Sequence, residues 1–162
     1  PMMKGDFGAE KKDKFTMDSF FKAITNQPQT FVGEKIHKEG KAEGVLWGGN
    51  LASIVSLAGI DFIPNENIIF FAEDLNEPVY KIDKMLTQLM NIEQFRTNVK
   101  GIVFGEFLDT GYPEQLMTLF DNIANELDIP VTSGFKISHN KTKATIPYGA
   151  KCVLENDKVV LE

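Results

Sequence analysis

Residues 68–75 read IIFFAEDL, a run that is apolar over its first five positions, continues with two acids, Glu73 and Asp74, and ends at Leu75. An unbroken apolar run is typical of a strand that is covered on both faces, as in a parallel sheet. A helix is predicted from Pro78, because proline suits the first turn of a helix. Its apolar positions fall on one face, and they are Val79, Ile82, Met85, Leu86, Leu89 and Met90.

The same order of strand and helix continues on both sides of this run. Before it, residues 45–47 predict a strand that leads through a Gly-Gly-Asn turn into a helix over 51–57. After it, a buried-type strand at 101–104 precedes an amphipathic helix that begins near Pro113. Buried strands that alternate with amphipathic helices predict an α/β fold, with a partly parallel sheet covered by helices.

The two ends of the chain have a different pattern. We expect residues 1–14 to be an exposed segment and Thr16 to be the N-cap of a short helix that ends before Pro28. Beyond residue 133 we expect short strands at residues 142–146, 150–154 and 158–161, the last two joined as a hairpin.

Composition excludes several classes of protein. The 162 residues fit one domain, and 43% hydrophobic with 25% charged residues excludes overall disorder. The net charge of −6 and the single arginine, Arg96, argue against nucleic-acid and anionic-membrane binding. One cysteine, Cys152, leaves no internal disulfide and, with only two histidines, no zinc site.

Several polar residues are candidates for chemistry. Glu73 emerges at the carboxyl end of a predicted parallel strand, where α/β proteins place functional groups, although a solvated loop acid is the simpler interpretation. His139 lies in a polar loop and could act as an acid or base, or be an ordinary surface residue. His37 is flanked by charges and is expected to be solvated. Asn50 either caps the following helix or helps the Gly-Gly-Asn turn approach a ligand.

Three ordered segments resemble a known family. They are residues 40–51 (GKAEGVLWGGNL), residues 71–86 (FAEDLNEPVYKIDKML), and residues 134–139 (GFKISH) followed by 144–150 (ATIPYGA). In this order they are similar to the C-terminal half of the LD-carboxypeptidases, also called muramoyltetrapeptide carboxypeptidases. The resemblance covers essentially the whole chain.

The resemblance implies a serine peptidase with a Ser–Glu–His triad and no metal or other cofactor. Such enzymes release the terminal D-alanine of murein tetrapeptides during peptidoglycan recycling in the cytoplasm. Matched by motif, the glutamate is Glu73 and the histidine is His139, and we expect their side chains to be in hydrogen-bonding reach. Trp47, Gly49 and Asn50 are the expected substrate-binding residues.

The resemblance also implies a domain organisation. The C-terminal domain has a swivelling β/β/α-type fold and here occupies residues 29–162, whereas residues 1–28 are the linker and a short helix from the interdomain connection. The nucleophile belongs to an N-terminal domain outside this sequence, and a chain that begins at Pro1 is best explained as a fragment. The expected partners are the murein tetrapeptide, that N-terminal domain and a second copy in a homodimer.

Some positions depart from the family pattern and leave alternatives open. Lys81 and Lys84 stand where the family usually has arginines, and Ser138 stands where it usually has glycine. An immunity-type peptidase of the same superfamily, which cleaves a peptide–nucleotide toxin, is a close alternative. A stand-alone module that binds peptidoglycan peptides is an alternative of another class. The sequence leaves open whether the donor residue is meso-diaminopimelate or lysine.

Overall fold

The computed structural model describes residues 3–161. Its strands are β1 (Gln29–Val32), β2 (Lys35–Lys38), β3 (Lys41–Asn50), β4 (Ile68–Leu75), β5 (Val99–Leu108), β6 (Val131–Ser133), β7 (Lys151–Glu155) and β8 (Lys158–Leu161). Its helices are α1 (Lys14–Ile24), α2 (Leu51–Val55), α3 (Val79–Met90), α4 (Glu93–Asn98) and α5 (Pro113–Leu127), and a π-helical turn lies at Met3–Phe7.

The strands form one mixed sheet with the order β1-β8-β7-β3-β4-β5-β6-β2. The four consecutive strands β3, β4, β5 and β6 are parallel. The β7–β8 hairpin and β1 extend the sheet antiparallel beside β3, and β2 pairs antiparallel with β6 at the opposite edge. The prediction of an α/β fold with a partly parallel sheet and short C-terminal strands is therefore confirmed.

Two apolar layers lie on the two faces of this sheet. Because successive strand residues point to opposite faces, Phe70 packs into one layer and Phe71 into the other. Helices α2, α3, α4 and α5 contribute to the layer that contains Phe70. The layer that contains Phe71 includes Phe135 and Ile137 from the segment after β6. Burial on both faces accounts for the unbroken apolar run of β4.

Two local predictions are wrong. Residues 142–146 form an irregular segment and not a strand. Their backbone N–H groups do not pair with a neighbouring strand; the Ala144 N–H, for example, donates to the Lys136 carbonyl across 2.6 Å. The N-cap of α1 is Asp13 rather than Thr16, since the Asp13 side chain accepts the Thr16 N–H. Thr16 is instead a fully buried residue of the first turn of the helix.

Candidate active site

Polar residues meet at the carboxyl ends of the two central parallel strands. Asn50 is the last residue of β3, and its register partner in β4 is Glu73. The next residue of β4, Asp74, is only 4% exposed, and Glu73 is 7% exposed. The carboxyl edge of a parallel sheet is where α/β proteins bind ligands, so these buried acids mark a candidate site.

Glu73 and His139 are in direct contact there. The Nδ1–H of His139 donates to Oε2 of Glu73 across 2.7 Å, although 66 positions separate them in the chain. Half of the His139 side chain is exposed. The contact that the sequence leads us to expect is present, and it joins a buried carboxylate to an accessible imidazole.

The segment before His139 is fixed against the end of β5. The N–H of Glu106 donates to the carbonyl of Ile137 across 2.9 Å. A Cβ on Gly105 would lie 2.1 Å from that same carbonyl oxygen, so only glycine admits this close approach. The backbone two residues before His139 is therefore held by contacts from β5.

Burial sets the electrostatics of the pair. It disfavours the carboxylate and raises the pKa of Glu73 above its ordinary value, while the hydrogen bond from His139 acts in the opposite direction. A positive charge on His139 would therefore interact strongly with the ionised Glu73. The same contact fixes the imidazole tautomer that carries its proton on Nδ1.

Asn50 belongs to a second hydrogen-bond network beside Glu73. Its Nδ2 donates to Oδ1 of Asp74 across 2.8 Å, and its Oδ1 accepts the N–H of Ser53 at the start of α2. Asp74 Oδ2 accepts the N–H of Ala52 across 3.0 Å. Asn50 is thus the N-cap of α2, which agrees with the simpler of its two interpretations, and Asp74 holds its side chain in place.

Of the other two expected substrate-binding residues, Trp47 is buried, whereas the contact expected of Gly49 stays a prediction. The ring of Trp47 is 1% exposed and packs against Phe62, Phe70 and Phe95, so Trp47 is a core residue and cannot contact a ligand in this position. Gly49 leaves room for an added Cβ, whose nearest neighbour would lie at 3.7 Å, but its φ of +156° is one that other residues rarely adopt. Gly48 admits no side chain, because a Cβ there would lie 1.8 Å from the carbonyl oxygen of Phe71.

Ser138, next to the candidate histidine, has a local role. Its Oγ accepts the N–H of Asn140 across 3.0 Å and so shapes the turn that carries His139. An open groove borders this turn and is lined by Gly5, Asp6, Ser138, His139, Asn140, Lys141 and Lys143. The exposed imidazole can thus be reached from outside the chain.

The expectation that His37 is solvated is wrong. Its side chain is fully buried, with Nδ1 2.5 Å from Oδ1 of Asp121 and Nε2 2.8 Å from Oγ of Ser133. Burial lowers the pKa of the His37 imidazole despite the nearby carboxylate. Ser133 is itself 3% exposed, so this chain of polar groups lies under the surface and secures β2 to β6 and α5.

The described residues hold neither a metal-binding cluster nor a membrane-spanning helix. Among residues 3–161, no cluster of three or more His, Cys, Asp and Glu side chains has a geometry that could hold a metal ion. No helix within this range is both long and apolar enough to cross a membrane.

The chain resembles known proteins over most of its length. The LD-carboxypeptidase C-terminal domain family matches residues 43–154. A probable murein peptide carboxypeptidase of Bacillus subtilis is 30% identical over 164 residues, which cover 95% of this chain and 51% of that protein. The microcin C7 self-immunity protein MccF of Escherichia coli is 28% identical over 123 residues, which cover 73% of this chain and 36% of that protein.

A solved structure of a muramoyltetrapeptide carboxypeptidase has the same fold as this chain. The crystal structure of muramoyltetrapeptide carboxypeptidase from Oxalobacter formigenes superimposes with a TM-score of 0.82 at 30% identity, covering 99% of this chain and 59% of that one. The chain spans about half the length of the curated relatives it matches first. On these matches, the chain belongs to the LD-carboxypeptidase family and corresponds to its C-terminal domain.

Proposed function

We propose that this chain is the C-terminal half of a serine LD-carboxypeptidase that releases the terminal D-alanine from murein tetrapeptides. The observation that carries the proposal is the 2.7 Å contact between Glu73 and His139 in a chain of this family. In this proposal Glu73 and His139 are catalytic residues, and the reaction serves peptidoglycan recycling in the cytoplasm.

The chemistry assigned to the pair follows from its geometry. Because Nδ1–H is engaged by Glu73, Nε2 of His139 is the nitrogen that accepts a proton from an attacking serine. The serine oxygen forms an ester with the carbonyl carbon of the L-configured residue. His139 then gives its proton to the nitrogen of the departing D-alanine. Water hydrolyses the ester with the same base, and Glu73 stabilises each imidazolium.

The nucleophile in this proposal comes from an N-terminal domain, together with the amides that stabilise the oxyanion. Residues 1–28 are then the connection to that domain, and residues 29–162 are the catalytic C-terminal domain. Phe21 and Ile24 of α1 are more than half exposed, which supports a docked neighbour at this end of the chain. A homodimer of the two-domain protein completes the proposal.

The likeness to the self-immunity protein supports a second candidate function. That relative is 28% identical over nearly three quarters of this chain, so a peptide–nucleotide substrate is an alternative for the same catalytic pair. The probable murein peptide carboxypeptidase matches 95% of this chain at 30% identity, against 73% for the self-immunity protein, and this wider match favours the murein substrate.

The decisive assay measures D-alanine release from a murein tetrapeptide. We expect none above background from the isolated chain, since a general base needs a positioned nucleophile. We expect turnover from the two-domain protein that joins this chain to its nucleophile domain. There, His139→Ala should abolish turnover, and Glu73→Gln should lower kcat by about 10³- to 10⁴-fold through the wrong tautomer and the lost charge.

Glu43→Gln is the matched control, because it makes the same change at an exposed position near the opposite end of β3. It should leave D-alanine release unchanged. Release by the isolated chain at a rate that neither site substitution alters would refute the proposed mechanism. Hydrolysis of a peptide–nucleotide conjugate without tetrapeptide cleavage would establish the second candidate function.

A further inference from the structure

Helix α1 presents two buried hydroxyl groups to the segment that carries His139. Thr16 is 0% and Ser19 is 4% exposed, and three positions separate them, so they lie on one face of the helix. Burying a hydroxyl without a hydrogen bond costs free energy, so the partners of Thr16 and Ser19 indicate the role of this helix face.

Both hydroxyls bond to backbone or polar groups beyond α1. Oγ1 of Thr16 accepts the N–H of Lys143 across 3.0 Å and donates to the carbonyl of Lys141 across 3.2 Å. Oγ of Ser19 accepts the N–H of Thr145 across 2.9 Å and donates to Oε1 of Gln29 across 3.0 Å. Two backbone donors of the irregular segment 141–145 therefore depend on α1.

Charged groups at the start of α1 add to this attachment. The Asp13 carboxylate caps the helix through Oδ1, and its Oδ2 accepts the hydroxyl of Thr142 across 2.9 Å. Nζ of Lys143 bridges Oδ1 of Asp6 and the carbonyl of Asn140, each across 2.9 Å. The same N-terminal region thus holds the chain from Asn140 to Thr145, immediately after His139.

We propose that α1 positions the catalytic pair, with Thr16 and Ser19 as positioning residues that keep His139 on Glu73. The imidazole is half exposed and sits in a segment without regular secondary structure, so its place depends on how the backbone is held. β5 fixes the chain before His139 and α1 fixes it after. A catalytic hydrogen bond tolerates little displacement, and surrounding contacts of this kind provide the required precision. The catalytic consequence rests on the proposed function, whereas the geometry does not.

The test uses NMR of this chain, which reads the geometry without any turnover. The hydrogen-bonded Nδ1 proton of His139 reports its contact with Glu73, and amide hydrogen exchange at Lys143 and Thr145 reports the attachment to α1. Thr16→Val removes one hydroxyl while keeping the shape of the side chain, and Ser19→Ala removes the other. Thr25→Val is the matched control. Thr25 caps the end of α1, and within the described residues its Oγ1 bonds only to the carbonyls of Phe21 and Lys22 of that helix.

We expect exchange at Lys143 to accelerate by about tenfold or more in Thr16→Val, and likewise at Thr145 in Ser19→Ala, as for loss of one hydrogen bond. The Nδ1 proton signal of His139 should weaken or disappear in both variants. Thr16→Ser retains the hydroxyl and should restore the signal, and Thr25→Val should leave it unchanged. In the two-domain protein the same variants should lower kcat more than they change KM.

An unchanged Nδ1 signal in variants whose amides exchange faster would overturn the proposal. Should Thr16→Val not fold, Thr142→Val at a half-buried position provides the second test, because it detaches the segment from Asp13 and leaves α1 intact. Its Nδ1 signal should also weaken, and an unaltered signal would count against the proposal. Loss of the signal without any D-alanine release by the unaltered two-domain protein would refute the proposed function and leave the positioning role standing.

Discussion

The carboxylate of Glu73 is almost fully buried, yet it accepts a hydrogen bond at 2.7 Å from the half-exposed imidazole of His139. Two opposing influences thus act on one group. Burial raises the pKa of Glu73, and the imidazole lowers it. The balance between them can be measured because each influence can be altered separately.

Replacing His139 with a ring that cannot donate a hydrogen bond should raise the pKa of Glu73 further. His139→Phe keeps an aromatic ring beside the Glu73 carboxylate, so burial persists while the compensating hydrogen bond is lost. A carbon-13 NMR titration of the Glu73 carboxyl measures the change. Lys141→Ala, in the same turn, is the control and should have little effect. A lowered pKa in His139→Phe would mean that the hydrogen bond from His139 does not favour the Glu73 carboxylate.

Asp74→Asn should destabilise the edge of the sheet beside Glu73. Asp74 accepts the Asn50 amide and the Leu75 N–H through Oδ1, and the Ala52 N–H through Oδ2. An asparagine must place an NH₂ group against one of these donors. The loss should be about 1–3 kcal/mol of unfolding free energy, measured in urea.

Asp61→Asn makes the same substitution at an exposed position and should change the unfolding free energy by less than about 0.5 kcal/mol. Equal stability of the two variants would show that the three hydrogen bonds of Asp74 contribute nothing measurable. Loss of stability in Asp74→Asn alone would identify Asp74 as the anchor of Asn50 and of α2.

Buried His37 should make the fold sensitive to mild acid. Burial holds its pKa below that of the unfolded chain, so the unfolded state binds more protons as the pH falls. Stability is therefore complete above about pH 6.5, the ordinary histidine pKa, and declines below it. Asp121 opposes this shift and Lys35 adds to it.

His37→Gln isolates this contribution, because glutamine does not titrate. Urea unfolding at several pH values between about 7 and 5 should show a smaller decline for the variant than for the unaltered chain. Glu73 has a raised pKa, so its contribution to stability falls as the pH rises above the pKa of a glutamate in the unfolded chain. This contribution is the same in both proteins, because both contain Glu73. Parallel declines would contradict the assignment to His37.

Hydrophobic patterns along the sequence predict secondary structure well where it depends on residues close together in the chain. The apolar run 68–75 indicated a strand buried on both faces, and the structure has β4 over Ile68–Leu75. The polar edge strand β2 reads KIHK and carries no such pattern, so neither it nor the burial of His37 was foreseen. His37 is buried by Asp121 and Ser133, which lie 84 and 96 positions away.

The same limit applies to the candidate site. The motif match placed Glu73 and His139 correctly relative to each other, because it carried tertiary information that periodicity lacks. The resemblance predicts a substrate contact for Trp47, but the fold packs its ring against Phe70 and Phe95. Local sequence predicts a helix cap at Thr16, but its hydroxyl accepts the N–H of Lys143, 127 positions away. Contacts between distant segments follow from the fold and not from spacing along the chain.

Ser138 offers the last test, because a serine beside a candidate catalytic histidine could itself be the nucleophile. Its Oγ already accepts the N–H of Asn140, which is a structural role in the turn. Ser138→Gly introduces the residue that the family usually has before the histidine. The two-domain protein should therefore keep D-alanine release within about tenfold of the unaltered rate, since one neutral hydrogen bond contributes about 0.5–1.5 kcal/mol. Ser56→Gly, at an exposed hydroxyl that bonds the Ser53 carbonyl at the end of α2, is the matched control. Abolished release in Ser138→Gly alone would overturn this expectation and make Ser138 the first candidate for the nucleophile.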